Sequence, residues 1–73
     1  MTEAKVPTIM KRLSHNLKRF RKERRLFMTD LSAISGVTRQ TISAIEKGAP
    51  DALLSNVQRL ADALDIDVVE LLW

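Results

Sequence analysis

Few side chains in this chain of 73 residues have the types and spacing that catalysis requires. His15 is the only histidine and has no acidic residue nearby to orient its ring, and cysteine is absent. The acidic residues near the carboxyl end lack the spacing of a calcium-binding loop, and the two glycines do not form a phosphate-binding loop. We therefore expect that the protein is not an enzyme and that it needs no cofactor and no metal ion.

A second group of polar side chains has the types and spacing that suit the recognition of DNA base edges. These residues lie on a helix predicted over Thr38–Lys47, whose inner face carries Ile42 and Ile45. The outward face carries Arg39, Gln40 and Ser43, with Ala44 and Lys47 more to the side. Arginine can form two hydrogen bonds with guanine, and glutamine can form two with adenine. The pattern predicts a base-reading face, although the same residues would also suit a solvated helix.

The residues just before this helix predict how it is positioned. A short helix over Thr29–Ser35 is expected to bury Leu31 and Ile34, and Gly36 can end it in the left-handed conformation. Thr38 can then cap the next helix. A short helix, a glycine turn and a second, capped helix form a helix-turn-helix unit.

The remaining apolar residues predict three further helices. The first runs from Thr8, its predicted N-cap, to about Arg25. The fourth has one apolar stripe, formed by Leu53, Leu54, Val57, Leu60, Ala61 and Leu64. Asp67 and Glu70 have the spacing of a capping box that begins a fifth helix over Val68–Trp73. The predicted fold is all-α, with five helices and no strand.

Length and composition set the organisation of the chain. Residues 1–8 show little periodicity and predict a flexible N-terminal arm, and residues 9–73 predict one helix-turn-helix domain. No apolar run is long enough to span a membrane or to resemble a signal peptide. We therefore expect a cytoplasmic protein that does not bind membranes.

Charge is distributed unevenly along the sequence. Residues 1–25 carry nine Lys or Arg against two acidic residues, whereas residues 26–73 carry three against seven. A basic half beside an acidic half suggests that one face meets a polyanion. The alternative is a solvated, charged face on the first helix, with no partner.

The sequence resembles the phage-repressor-like (Cro/Xre) helix-turn-helix family from about Leu13 to Leu72. The resemblance rests on two segments, LKRFRKERRLFMTDLSAISGVTRQTISAIEKG and LSNVQRLADALDIDVVELL. It implies a five-helix, lambda-repressor-like DNA-binding domain. It also implies that Arg21 of the first helix forms an ion pair with Glu46, which orients the reading helix rather than contacting bases.

The same resemblance implies which residues contact double-stranded DNA. The base-reading positions of the family fall on Arg39, Gln40, Ser43 and Ala44. Expected backbone contacts, partly from the free groups at helix starts, come from Thr29, Thr38, Thr41 and Lys47.

The sequence departs from the family at three places that bear on contacts with the DNA backbone. The loop after Gly48 is often basic in the family, whereas here it reads Ala49-Pro50-Asp51. Phe27 and Met28 replace the polar cap and glutamine that begin the second helix in the family, and Arg25 replaces the glycine that ends the first helix. Basic residues of the first helix are candidates for compensating phosphate contacts, namely Lys11, Arg12, Lys18 and Arg19.

The carboxyl end predicts an interface between two copies of the chain. Five of its last six residues are apolar: Val68, Val69, Leu71, Leu72 and Trp73. A domain this small cannot easily bury them all, and tryptophan is a frequent interface anchor. A homodimer would place two reading helices on half-sites about 34 Å apart. The alternative is that some of these residues close the core of the monomer.

Three functions remain open from the sequence. The first is a transcriptional regulator of repressor or controller type, encoded on a mobile genetic element and binding a palindromic operator as a dimer. The second is an antitoxin that binds both its operator and a toxin. The candidate protein partners are accordingly a toxin and an antiactivator. The third is a protein- or membrane-binding module that uses the basic first helix. The core needs the apolar residues of that helix, which disfavours the third function.

Overall fold

Five helices follow one another in the computed structural model, which describes residues 7–73. They are α1 (Thr8–Glu23), α2 (Met28–Ser35), α3 (Arg39–Glu46), α4 (Leu54–Ala63) and α5 (Val68–Leu72). The described part of the chain contains no strand, so the predicted all-α fold of five helices is confirmed. Most of the predicted N-terminal arm falls on residues 1–6, which lie outside the described residues.

One side chain from every helix is completely buried in the common core. These residues are Leu17, Leu31, Ile42, Leu60 and Leu71, each 0% exposed. Helix α1 packs against both α3 and α5, while α2 packs against α3 and α4. Helix α3 is therefore held between α1 and α2.

Three apolar residues that periodicity placed in the core are exposed instead. Ile34 is 59% exposed and lies in the last turn of the short helix α2, two residues before the exposed Gly36. Leu53 and Leu54 are 68% and 78% exposed. Leu53 is the N-cap of α4 and has an extended backbone, so helical periodicity does not apply before Leu54. The apolar stripe of α4 therefore begins at Val57.

Two of the three predicted N-caps are confirmed. Asp67 and Glu70 form the predicted capping box: Asp67 Oδ1 accepts a hydrogen bond from Val69 N at 3.0 Å, and Glu70 Oε2 accepts one from Asp67 N at 3.1 Å. Thr38 caps α3 as predicted. Thr8 is not the N-cap of α1, because the helix already includes Thr8 and the cap position is Pro7. Proline suits this place since it needs no backbone donor there.

Helices α1, α3 and α4 end in the same way, with a left-handed residue just after the last turn. These residues are Arg25 (φ 55°), Gly48 (φ 87°) and Asp65 (φ 56°). The next residue then donates a backbone hydrogen bond into the helix, as Leu26 N does to Arg21 O at 3.1 Å. Only glycine adopts this conformation without steric strain. Arg25 therefore holds a strained backbone at the position where the family has glycine.

We expect the substitution Arg25→Gly to stabilise the fold. Removing the Cβ relieves left-handed strain, and the added chain entropy of glycine offsets part of that gain, which leaves a net increase of about 0.5–1 kcal/mol in the free energy of unfolding. Urea denaturation measures this change. Arg24 has a negative φ of −89°, so the control Arg24→Gly should lower stability. Equal losses in both variants would contradict the interpretation.

Candidate nucleic-acid interface

The outward face of α3 takes no part in packing the core. Ile42 and Ile45 fill the inner face and are buried, whereas Arg39 and Gln40 in the first turn are exposed. Within residues 7–73, neither the Arg39 nor the Gln40 side chain forms a hydrogen bond. Their donors and acceptors therefore remain available to a ligand. Ser43 is half-buried and Ala44 exposed, and both follow Arg39 and Gln40 along the helix.

The start of α3 is fixed by two threonine side chains. Thr38 Oγ1 accepts a hydrogen bond from Thr41 N at 3.2 Å, and it donates one to Thr41 Oγ1 at 2.9 Å. The backbone N–H groups of Arg39 and Gln40 precede the first helical hydrogen bond, which Ile42 N donates to Thr38 O at 3.0 Å. Such free N–H groups at a helix start favour anions.

A buried ion pair joins α1 to the carboxyl end of α3. Arg21 Nε donates to Glu46 Oε2 at 2.7 Å, and Arg21 Nη2 donates to Glu46 Oε1 at 2.8 Å. The remaining Nη1 donates to Leu26 O at 2.8 Å. Arg21 and Glu46 are only 9% and 4% exposed. The hydrogen bonds that Arg21 donates to the Glu46 carboxylate raise the pKa of Arg21 above its ordinary value despite the opposing effect of burial, so the guanidinium remains charged.

Two polar residues that sequence reasoning missed reinforce this arrangement. Ser14 Oγ donates to Glu46 O at 2.7 Å, which ties α1 to the last turn of α3. Asn16 is 8% exposed, and its Nδ2 donates to Leu71 O at 3.0 Å, which ties α1 to α5. Asn16 stands one residue before Leu17 on the inward side of α1, so a polar residue beside the apolar stripe was the available signal.

The start of α2 differs from the polar arrangement typical of the family. Phe27 is the N-cap, and it is 76% exposed. Its side chain has no acceptor, so the only capping bond runs from Phe27 N to Asp30 Oδ2, at 2.8 Å. Thr29 lines a cleft of about 370 Å³ together with Arg21 and Arg39. The structure thus brings Thr29 next to the first residue of the reading helix.

The carboxyl-terminal apolar residues divide between the core and the surface. Val69 and Trp73 are 60% and 83% exposed, and Val68 and Leu72 are half-buried against the core. Leu71 is 0% exposed, which corrects the expectation that it lies in the interface between two copies. A five-residue helix that packs against α1 and α4 must bury one of its residues, and Leu71 is that residue.

Comparison with known proteins places this geometry in a family. The family model described as "Helix-turn-helix" matches residues 17–71. The chain belongs to this Cro/Xre-like helix-turn-helix family. Family membership makes it a DNA-binding transcriptional regulator. Among curated proteins, none matches the chain significantly.

Two solved structures show the same fold. The restriction-modification controller protein C.AhdI from Aeromonas hydrophila is 31% identical, with a TM-score of 0.79 over 85% of this chain and 94% of its own. A hypothetical transcription factor, NHTF, from Neisseria is 26% identical, with a TM-score of 0.84 over 100% of this chain and 87% of its own. This helix-turn-helix chain is therefore similar to small transcription regulators along most of its length.

Other classes of site find no support in the part of the chain that the structure describes. No group of three or more acidic or histidine side chains between residues 7 and 73 has a geometry suited to a metal ion. Over the same range, no helix has the length and apolar character that crossing a membrane requires.

We expect loss of either charge in the buried ion pair to be strongly destabilising. Glu46→Ala leaves the Arg21 guanidinium buried without its carboxylate, which should lower the free energy of unfolding by about 3–5 kcal/mol. The double variant Arg21→Met, Glu46→Leu should recover most of this loss, because apolar residues need no ionic partner. Urea denaturation measures both changes.

An exposed ion pair on the same helix provides the control. Arg19 Nη1 lies 3.4 Å from Glu23 Oε2, and both side chains are about half exposed. Glu23→Ala should therefore change stability by less than about 0.5 kcal/mol. If Glu46→Ala has no larger effect than Glu23→Ala, the ion pair does not hold α3 as described.

Proposed function

We propose that this protein controls transcription by binding a palindromic operator as a dimer, with α3 of each copy in the major groove. The observation that carries the proposal is the outward face of α3, which is polar, exposed and held in place from behind by Arg21 and Glu46. A helix held rigidly with free donors on its outer face suits base reading, because the side chains need little reorganisation.

Each residue of the reading face then has a role that fits its chemistry. Arg39 donates two hydrogen bonds to a guanine, and Gln40 pairs with an adenine. Ser43 hydrogen-bonds a neighbouring base or phosphate, while the Ala44 methyl group packs against a thymine methyl group. Both Arg39 and Gln40 lie in the first turn, which is the part of a recognition helix that enters the groove.

Phosphates on either side of the groove meet the polar groups around α3. Thr38 and Thr41 surround the free N–H groups at the start of the helix, and Thr29 lies beside Arg39 in the same cleft. Lys47 supplies a cation at the other end. These contacts fix the position of α3 on the duplex and carry no sequence information themselves.

The exposed apolar side chains at the carboxyl end support the proposed dimer. Val69 and Trp73 expose most of their surface to solvent, and the Arg12 guanidinium lies 5.3 Å from the centre of the Trp73 ring. Tryptophan and arginine are the residues that most often anchor protein interfaces. Two copies joined along this edge would present two reading helices to half-sites about 34 Å apart.

The solved neighbour from Aeromonas hydrophila is a restriction-modification controller protein. We propose the same class of function, a controller or repressor that acts by occupying an operator, for this protein.

We expect Arg39→Ala to relax specificity at one base pair of each half-site. Losing the bidentate contact with guanine removes about 1–3 kcal/mol of discrimination at that position. Selection of bound sites from random DNA measures the change and also reports palindromy and half-site spacing. Arg59→Ala, which removes an exposed arginine of α4, is the control and should leave the selected sequence unaltered. An unaltered sequence for Arg39→Ala as well would contradict the assignment.

We expect Val69→Glu to break the dimer while leaving each monomer folded. A charge buried at an apolar interface should raise the dissociation constant of the dimer at least about tenfold, as measured by sedimentation equilibrium. Ile34→Glu is a matched control, since Ile34 on α2 is 59% exposed and Val69 is 60% exposed. A dimer that dissociates in the Ile34 variant but not in the Val69 variant would locate the interface elsewhere.

A further inference from the structure

A basic cleft of about 430 Å³ lies between α1 and the carboxyl end of the reading helix. It is lined by Lys11, Ser14, His15, Lys18, Lys47 and Gly48. Three ammonium groups and an imidazole thus come from two different helices to one opening. No carboxylate lines the cleft, and none of the three lysines forms an ion pair within the described range of residues 7–73. Like charges gathered without a counter-charge attract an anion.

The structure separates the basic residues of α1 into two groups. Arg12 lies over the Trp73 ring on the α5 side, and Arg19 is paired with Glu23 while also lying 4.3 Å from the centre of the Phe20 ring. Lys11 and Lys18 instead lie seven residues apart on one face of α1 and open into the cleft. Of the four candidate phosphate contacts on α1, only these two are directed toward α3.

The cleft continues the reading face of α3. Lys47 follows Gln40 by seven residues, so both lie on the same side of the helix. Lys47 is eight residues from Arg39, which places it about 12 Å further along the axis. The major groove is also about 12 Å wide. If α3 crosses the groove with Arg39 inside it, a separation of this size carries Lys47 and the cleft to the phosphates at the groove edge.

The walls of the cleft are held at a fixed separation. Ser14 Oγ donates to Glu46 O at 2.7 Å, which links α1 to α3 at the base of the opening. Gly48 contributes no side chain, and an added Cβ there would meet no atom within 4 Å. The backbone at this position leaves room for a tetrahedral anion to approach. The helices that carry the lysines therefore need not move for a phosphate to bind between them.

We propose that Lys11 and Lys18 of α1, together with Lys47 directly after α3, bind a backbone phosphodiester of the operator at the groove edge. This inference rests on the proposed function and identifies residues that contact the DNA backbone in it. The site supplies a phosphate contact that Phe27 and Met28 at the start of α2 cannot provide, because those side chains carry no charge and no hydrogen-bond donor. Contacts with the DNA backbone thus come from α1 as well as from the helix-turn-helix unit.

The test is the salt dependence of binding to the selected operator. Each lost phosphate contact makes the plot of log K against log salt concentration shallower by about 0.9. Lys11→Gln and Lys18→Gln should each weaken binding and flatten the slope, and the pair together should do so more, with no change in the preferred sequence. Arg19→Gln is the matched control, because it makes the same charge change on another face of the same helix. Urea denaturation verifies that all four variants remain folded.

A second measurement separates DNA phosphate from free phosphate. Inorganic phosphate is titrated at constant ionic strength while the Gly48 amide resonance is followed by NMR. We expect saturable shifts with operator DNA and none with millimolar phosphate. Binding of free phosphate that Lys11→Gln and Lys18→Gln abolish, without an effect on the DNA slope, would overturn the proposal in favour of a small-anion site.

The outcomes also distinguish this inference from the proposed function. If the wild-type protein selects a specific sequence but the lysine variants keep its salt slope, the phosphate site is wrong and the regulator remains. If the wild-type protein selects no sequence, both are overturned. A flattened slope in the lysine variants and an unchanged slope in Arg19→Gln support the phosphate site.

Discussion

The position of the reading helix depends on one buried interaction between charged groups. Arg21 and Glu46 satisfy one another through two short hydrogen bonds, and the third arm of the guanidinium is taken up by Leu26 O. A buried ion pair of this kind adds little net stability, since both groups must lose their hydration. Its value lies in geometry, because a planar guanidinium donates two hydrogen bonds to one carboxylate in only a few relative orientations. The pair therefore fixes where α3 lies relative to α1.

Helix α1 supports this arrangement on several sides at once. Its inner face fills the core, Ser14 holds the end of α3 and Asn16 holds α5. An isolated helix of eight residues, such as α3, is not stable in water. The short reading helix consequently derives its order from α1 and α2, and α1 is free to present lysines on its remaining face. The same helix thus links α3, the core and α5.

The sequence predicted the local chemistry well where it had a local cause. The glycine turn at Gly36, the Thr38 cap and the capping box of Asp67 each depend on residues a few positions apart, and all three are present. The sequence-based prediction of burial was wrong where burial depends on residues distant in the chain. Ile34 was expected inside and is exposed, and Leu71 was expected at an interface and is buried, because periodicity gives the faces of a helix but not which of them is covered.

The sequence by itself determined the number of helices, their order and the residues on the outward face of α3. These follow from apolar spacing and turn chemistry, which act over one or two turns of helix. Only the tertiary structure decided which basic residues of α1 stand beside the reading helix. Lys11 and Lys18 are brought to Lys47, whereas Arg12 is brought to Trp73. A sequence specifies only the order of its charged residues along the chain. Which of them meet in a binding site depends on how one helix packs against another.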